Sequence, residues 1–410
     1  MKRTIFWVLL VVLCWTLPAL ASSQFTPHAR FLRQHQFDPP AFETRTPTVP
    51  RAAVDEKHPY EVMAFYPYWT SQPVASINYG FLKTIAFFSL EVDQYGDLTN
   101  LHGWPHGELV DQAHAHGDRV VVTVTNFSSS QQATLLASAT YRDNAVDNIV
   151  AQVVAGDADG VNIDFEGLPY SAKANFVTFI AELADALDDV LTDPHLTVCT
   201  PAIDWNGCFD YDQLAANADY LMIMAYDYHY SGGDPGPVAP LYAGGIWPSW
   251  AGIDYTLDDY ETYIVPYDLS KVILGLPLYG YNWPTVDAGV PGEATGSGSA
   301  VILATAMDMA NSGSYGPRLW DESSRTDYLT YQAGDGWRQL WWGGYIFFRQ
   351  RFVYGIQRGC GGAGFWALGY LDEDVAAEAF TDALSETDDL PTADFAADDA
   401  DDDYAGCGGF

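Results

Sequence analysis

The chain has 410 residues, 48% of them apolar and 15% aromatic, enough to bury a large core, which excludes wholesale disorder and a small disulfide-stapled fold. Lys and Arg total 18 against 54 Asp and Glu, a formal charge of −36; such a field repels phosphates and argues against nucleic-acid or anionic-membrane partners. Only Lys2, Lys57, Lys83, Lys173 and Lys271 are lysines, and this carboxylate excess fits a high-salt setting, where ions screen the repulsion.

In chain order, Lys2 and Arg3 precede an apolar run over 5–17, and Ala19-Leu20-Ala21 forms a small-x-small cleavage site. This is the layout of a secretory signal peptide over 1–21. The run has about 13 apolar residues where a span needs roughly 20, so cleavage after Ala21 and export, extracellular or periplasmic, are expected, with no membrane anchor left. Residues 22–57 are rich in Pro, Thr, Gln and Arg without periodicity and read as a linker or loosely packed arm.

Eight short apolar runs follow, at 62–66, 84–89, 120–125, 160–165, 196–200, 220–225, 272–276 and 364–368. Helix-length stretches separate them, amphipathic at 107–116, 171–191 and 375–384. Apolar strands alternating with helices imply a parallel sheet covered by helices. Eight units over 58–384 fit an α/β fold of the (β/α)8 TIM-barrel type. A doubly wound sheet would show a Gly-rich turn after its first strand, where Pro67-Tyr68-Trp69 stands instead. The seventh connection is too long for a structureless loop. Its Gly/Ser-rich turns at 292–298, apolar stretch at 300–310 and aromatic runs at 328–331 and 339–342 predict a small α+β insertion over about 284–345, packed by Trp341 and Trp342. Residues 385–410 form an acidic tail, expected to be solvated.

Cys199, Cys208, Cys360 and Cys407 remain after signal removal, and four cysteines allow three pairings among which the sequence does not choose. Cys199 and Cys208 are the nearest pair, and a buried free thiol on a strand is the competing reading. No CxxC pair and no His–acid cluster at ligand spacing occurs, so neither a metal nor a cofactor is expected.

Chemistry concentrates in DGVNIDFEG, residues 159–167. Alternation puts Asn162, Asp164 and Glu166 on one face and Val161, Ile163 and Phe165 on the other. In a barrel the polar face lines the interior and ends at the C-terminal mouth, where barrel enzymes place their chemistry. Burying carboxyls there costs several kcal/mol unless they are hydrogen-bonded or share a proton. A carboxyl two residues away on the same face disfavours double ionisation, which suits one of the pair to stay protonated as a general acid.

Residues 159–166 resemble the DGxDxDxE strand of glycoside hydrolase family 18, the chitinase-type hydrolases, with Asn162 where Asp is usual. The same Asn occurs in the branch that includes spore-cortex and peptidoglycan N-acetylglucosaminidases. Met224-Ala225-Tyr226-Asp227 is similar to the family's MxYD, residues 275–280 to its GxPxYG, and residues 364–369 to its closing strand. Tyr228-His229 and Tyr281-Asn282-Trp283 favour the peptidoglycan-type branch. The resemblance covers about 58–384 and implies a substrate-assisted, retaining glycosidase, an exception to the usual two-carboxylate scheme. It implies Glu166 as acid and then base, Asp164 as orienter of the sugar's acetamido group and Tyr226 as a hydrogen-bond donor to that group; Asn162, which cannot take up a charge where the family has Asp, is expected to be a fixed hydrogen-bond orienter. It also implies Asp227, Trp366, Met224, Tyr279 and Tyr66 as sugar contacts, Trp366 being the floor; Trp69 and Asn126 lie past the first and third strands as further candidates. The expected partner of a monomeric chain is an N-acetylglucosamine-containing polysaccharide, chitin or peptidoglycan. A silent carbohydrate-binding barrel and an endo-β-N-acetylglucosaminidase on N-glycans share the motif; retention of Glu166 argues against the silent barrel.

Overall fold

A computed structural model describes residues 26–49, 57–370 and 374–386. The strands are β1 (Glu61–Pro67), β2 (Thr84–Val92), β3 (Leu98–Asn100), β4 (Arg119–Asn126), β5 (Gly160–Phe165), β6 (His195–Pro201), β7 (Tyr220–Met224), β8 (Val272–Pro277), β9 (Tyr279–Thr285), β10 (Ser299–Ile302), β11 (Leu319–Asp321), β12 (Thr326–Ala333), β13 (Gly336–Trp342) and β14 (Gly362–Trp366). The helices are α1 (Pro27–His35), α2 (Gly107–Ala115), α3 (Ser129–Ala137), α4 (Ala139–Ala155), α5 (Lys173–Asp188), α6 (Tyr211–Asn217), α7 (Ile253–Tyr263), α8 (Leu303–Asn311), α9 (Tyr345–Gln357) and α10 (Asp374–Glu386).

Strands β1, β2, β4, β5, β6, β7, β8 and β14 pair in parallel, and β14 pairs back onto β1, closing the expected (β/α)8 barrel. Each expected run falls on one of these strands, those at 220–225 and 364–368 running past the strand end, because β-branched and aromatic runs such as VVVTVT at 120–125 suit a sheet buried on both faces. The interior is packed by size complementarity. The Met222 methyl fits against Gly275 and Gly364, where an added Cβ would lie 2.6 and 2.9 Å from it. Between β8 and β14, strands β9–β13 form an antiparallel sheet in the order β10-β9-β13-β12-β11, the α+β insertion, with α8 between β10 and β11. Its core includes Trp341, stacked on Tyr328 at 4.5 Å with its indole N–H on Gln339.

Arg351 on α9 is fully buried, its guanidinium donating to the carbonyls of Ala239, Ser324, Arg325 and Phe347. It ties the β7–α7 connection, the β11–β12 turn and α9 together. Burial pulls its pKa well down, with Asp327 the nearest opposing influence.

The expectation of a loose arm over 22–57 is overturned for its described part. Thr26 precedes a helix that begins with Pro27, and α1 buries His28, Ala29, Phe31 and Leu32 in the barrel mouth. The next residues run down the barrel flank. Phe42 stacks on His106 at 3.7 Å, Arg45 pairs with Asp111 at 2.7 Å, and Asp111 accepts the Thr48 and Val49 amides. Burial opposes the Asp111 charge, but the hydrogen bonds from Val49, Thr48 and Arg45 outweigh it and hold the group at about 2. The segment read as a linker because its apolar residues are few; its partners are polar groups and rings that a periodicity search does not see.

Cys199, Cys208 and Cys360 are buried free thiols, so the Cys199–Cys208 pairing is not formed. Cys407, the 1–21 segment and the tail from 387 onward lie outside the described residues. Among the described residues, no helix is long and apolar enough to cross a membrane.

Candidate active site

The site is built at the C-terminal ends of β5, β7, β8 and β14. Asp159, first residue of the motif, stays at the opposite end of the barrel, where it accepts the Val120 amide at 2.6 Å and holds His114 at 3.0 Å. From there β5 alternates as expected. Asn162, Asp164 and Glu166 are all buried on the interior side, while Phe165 stacks outward on Phe176 and Phe179 of α5. Glu166 is positioned through its backbone: Gln132 of α3 donates to the carbonyls of both Asn126 and Glu166, at 2.6 and 2.8 Å.

Asn162 is held rigidly. Its carbonyl accepts from Thr197 at 2.8 Å, and its amide reaches Thr123 and the Cys199 sulfur, each at 3.4 Å. Cys199 in turn faces Asp164; burial first, then the Asp164 charge, pushes its thiol well up. Burial and the neighbouring Asp164 carboxylate likewise push Glu166 well above the ordinary carboxylate range. A glutamic acid kept protonated beside an aspartate is the arrangement a general acid requires.

Across the mouth, Tyr226 and Asp227 follow β7. Asp227 adopts a left-handed backbone, φ 60°, which costs a non-glycine residue about 1 kcal/mol or more. That turn aims its carboxylate at the Tyr279 hydroxyl, 2.6 Å away, and the Tyr281 hydroxyl, 3.3 Å away. Burial raises the Asp227 pKa, opposed by the nearby Arg30 charge. Met224 lies on the same inward face as Met222, nearly buried below Tyr226. Trp366, at the end of β14, closes the floor against Phe65 and Phe88.

Of the expected sugar contacts, Asp227, Trp366, Met224 and Tyr279 converge with Asp164, Glu166 and Tyr226. Tyr66 does not. Phe65 points inward, so its neighbour Tyr66 points out, packing on His106 and donating to the Gln72 carbonyl at 3.1 Å. A one-residue parity decides which aromatic the site receives. Trp69 borders the mouth, 6.4 Å from Trp366 ring to ring. Asn126 donates to the Val92 carbonyl and lines a side groove of about 350 Å³ between α1 and the β2 and β4 ends.

Sequence reasoning missed the groups supplied by α1. The His28 ring stacks on Trp366 at 4.0 Å, with Nδ1 2.7 Å from Asp164 Oδ2 and Nε2 2.5 Å from the Tyr226 hydroxyl. Its backbone N–H donates to Glu166 Oε1 at 2.9 Å, and Arg30 pairs with Asp227 at 3.0 Å. Thr26 before Pro27, a helix-start signature, with His28, Phe31 and Leu32 at helical spacing, was the available signal. His28, Asp164 and Cys199 also bring donor atoms within 4.8 Å of one another.

Comparison with known proteins gives this geometry a context. The chain is 30% identical over 211 residues to the sporulation-specific glycosylase YdhD of Bacillus subtilis, covering 49% of this chain and 46% of that protein. It is 22% identical over 299 residues to a cortical fragment-lytic enzyme of Bacillus anthracis, covering 70% and 65%. It thus spans about half to two thirds of the length of these relatives. In fold it is similar to a Cycas revoluta chitinase solved with (GlcNAc)4, at 17% identity and TM-score 0.69, covering 79% of this chain and 99% of the other. Residues 54–370 match the model of glycosyl hydrolases family 18, carboxylate strand and barrel included, and the chain belongs to that family.

Proposed function

We propose that the protein is an exported glycoside hydrolase that cleaves β-1,4 linkages of N-acetylglucosamine polymers, chitin or peptidoglycan, by a retaining, substrate-assisted mechanism. The observation that carries the reading is the convergence of Asp164, Tyr226 and Trp366 on one flat five-membered ring, with Glu166 beside it. That ring position is where a cyclised acetamido group would lie. The relatives' names, a cortical fragment-lytic enzyme and a sporulation glycosylase, support the substrate class, and the layout of residues 1–21 supports export.

In the first step the 2-acetamido oxygen attacks C1 while Glu166 gives its proton to the leaving glycosidic oxygen. The C1–O bond breaks and an oxazolinium forms. Asp164 accepts the acetamido N–H and stabilises the positive charge, the Tyr226 hydroxyl donates to the acetamido oxygen, and Asp227 accepts from sugar hydroxyls. Water then attacks C1, gives its proton to Glu166, and opens the ring with retained configuration. Trp366 offers an apolar face to the pyranose C–H groups. The test is release of reducing ends from N-acetylated chito-oligosaccharides and from peptidoglycan. It uses the full chain carrying His28→Ala, Arg30→Ala and Phe31→Ala, so that α1 does not hold the site. Activity that Glu166→Gln abolishes in this background supports the proposal; activity that survives Glu166→Gln refutes it.

A further inference from the structure

We infer that α1 is a built-in inhibitor: the chain is latent, and its own N-terminal helix occupies the sugar-binding site until it is displaced. This rests on the proposed function in that the occluded site is taken to be a sugar site. Asp164, Glu166, Tyr226, Asp227, Tyr279 and Trp366 are all engaged by α1. His28, fully buried, stacks on the Trp366 floor at 4.0 Å and spans from Asp164 to Tyr226, as a five-membered oxazolinium would. Its amide holds the Glu166 carboxyl at 2.9 Å. The Arg30 guanidinium takes the Asp227 carboxylate at 3.0 Å and lies over the Tyr281 ring at 5.3 Å. Phe31 covers the remaining apolar wall, its ring 5.0 Å from Tyr279 and 5.6 Å from Trp366. His35 stacks on Trp69 at 4.4 Å, closing the rim. A pyranose and α1 cannot share this space.

The attachment is reversible by design of the chain. A nine-residue helix is marginal by itself in water. Its contacts in the site keep it seated only with the help of the covalent strap that follows, pinned on the flank by Phe42 on His106 and by Asp111 with Arg45, Thr48 and Val49. The strap makes seating intramolecular and keeps the local concentration of α1 high. Between helix and strap, residues 36–39 are exposed, with the Phe37 side chain 89% accessible. An endopeptidase that hydrolyses one peptide bond there, consuming a water, separates α1 from its anchor and leaves the barrel intact.

Three full-length proteins test this: the native chain; His28→Ala with Arg30→Ala and Phe31→Ala; and a chain with a site-specific protease sequence inserted after Phe37, before and after cutting. Each is assayed for hydrolysis of N-acetylated chitotetraose and, with Glu166→Gln added, for its binding by tryptophan fluorescence. The expected result is that the triple variant and the cut chain bind and cleave about tenfold better or more than the native and uncut chains, since an occluded fraction lowers apparent affinity in proportion. The inserted-site chain covers the case in which the triple variant does not fold. Tighter binding without cleavage in any chain upholds the inhibitor and refutes the proposed hydrolase. Equal binding by native, variant and cut chains, or no binding by any of them, overturns the inhibitor.

Discussion

Glu166 is the residue whose environment decides the chemistry. Its pKa is raised, by burial first and the Asp164 charge second, so the acid form persists above the usual carboxylate range and is lost as pH rises through the raised value. In the chain freed of α1 contacts the Asp164 charge still opposes ionisation of Glu166, so kcat/KM should fall on an alkaline limb set by Glu166. Asp164→Asn removes one of the two causes and should move that limb to lower pH, beside a large loss in kcat; an unmoved limb would assign it to another group. Asn162→Asp should act in the opposite sense. It replaces a donor to Thr123 and Cys199 by a third buried carboxyl, and a pH–rate profile shifted upward is the expected outcome. A superimposable profile would show that Asn162 does not influence the pair.

Among the elements, the barrel strands were legible as short β-branched and aromatic runs, and β5 as an alternation that sets Asn162, Asp164 and Glu166 on one face. Helix α1 was legible only as a helix start at Thr26-Pro27 with His28, Phe31 and Leu32 at helical spacing; its place in the site was not, because its partners, Asp164, Tyr226 and Trp366, lie 136 or more residues away. Tyr66 was misassigned for a related reason: motif reading places an aromatic at a strand end, while only the parity of β1 tells Phe65 from Tyr66. Gln132 was invisible too, since its role is a pair of bonds to backbone carbonyls that only the folded chain brings together. Arg351 joins the β11–β12 turn of the insertion to the β7–α7 connection and α9. Arg351→Met should leave several carbonyls without donors and lower stability by about 3 kcal/mol or more, read as a drop in Tm. The folded fraction should keep its kcat, because Arg351 touches none of the site residues.

At the scale of the whole molecule, the net charge of −36 is a self-repulsion that added ions relieve. Tm should rise on going from about 0.1 M to about 1 M potassium chloride, as the screening length shrinks from about 10 Å to about 3 Å. A flat Tm would mean that the carboxylates are spaced widely enough not to matter. The central claim, that an N-acetylated sugar provides the nucleophile in this barrel, is tested most directly by comparing kcat/KM for chitotetraose and its fully deacetylated counterpart. The assay uses the His28→Ala, Arg30→Ala, Phe31→Ala chain. The acetylated oligosaccharide should be cut at least about a thousandfold faster, because the intramolecular nucleophile is lost with the acetyl group; equal rates on the two would rule out a nucleophile supplied by the sugar.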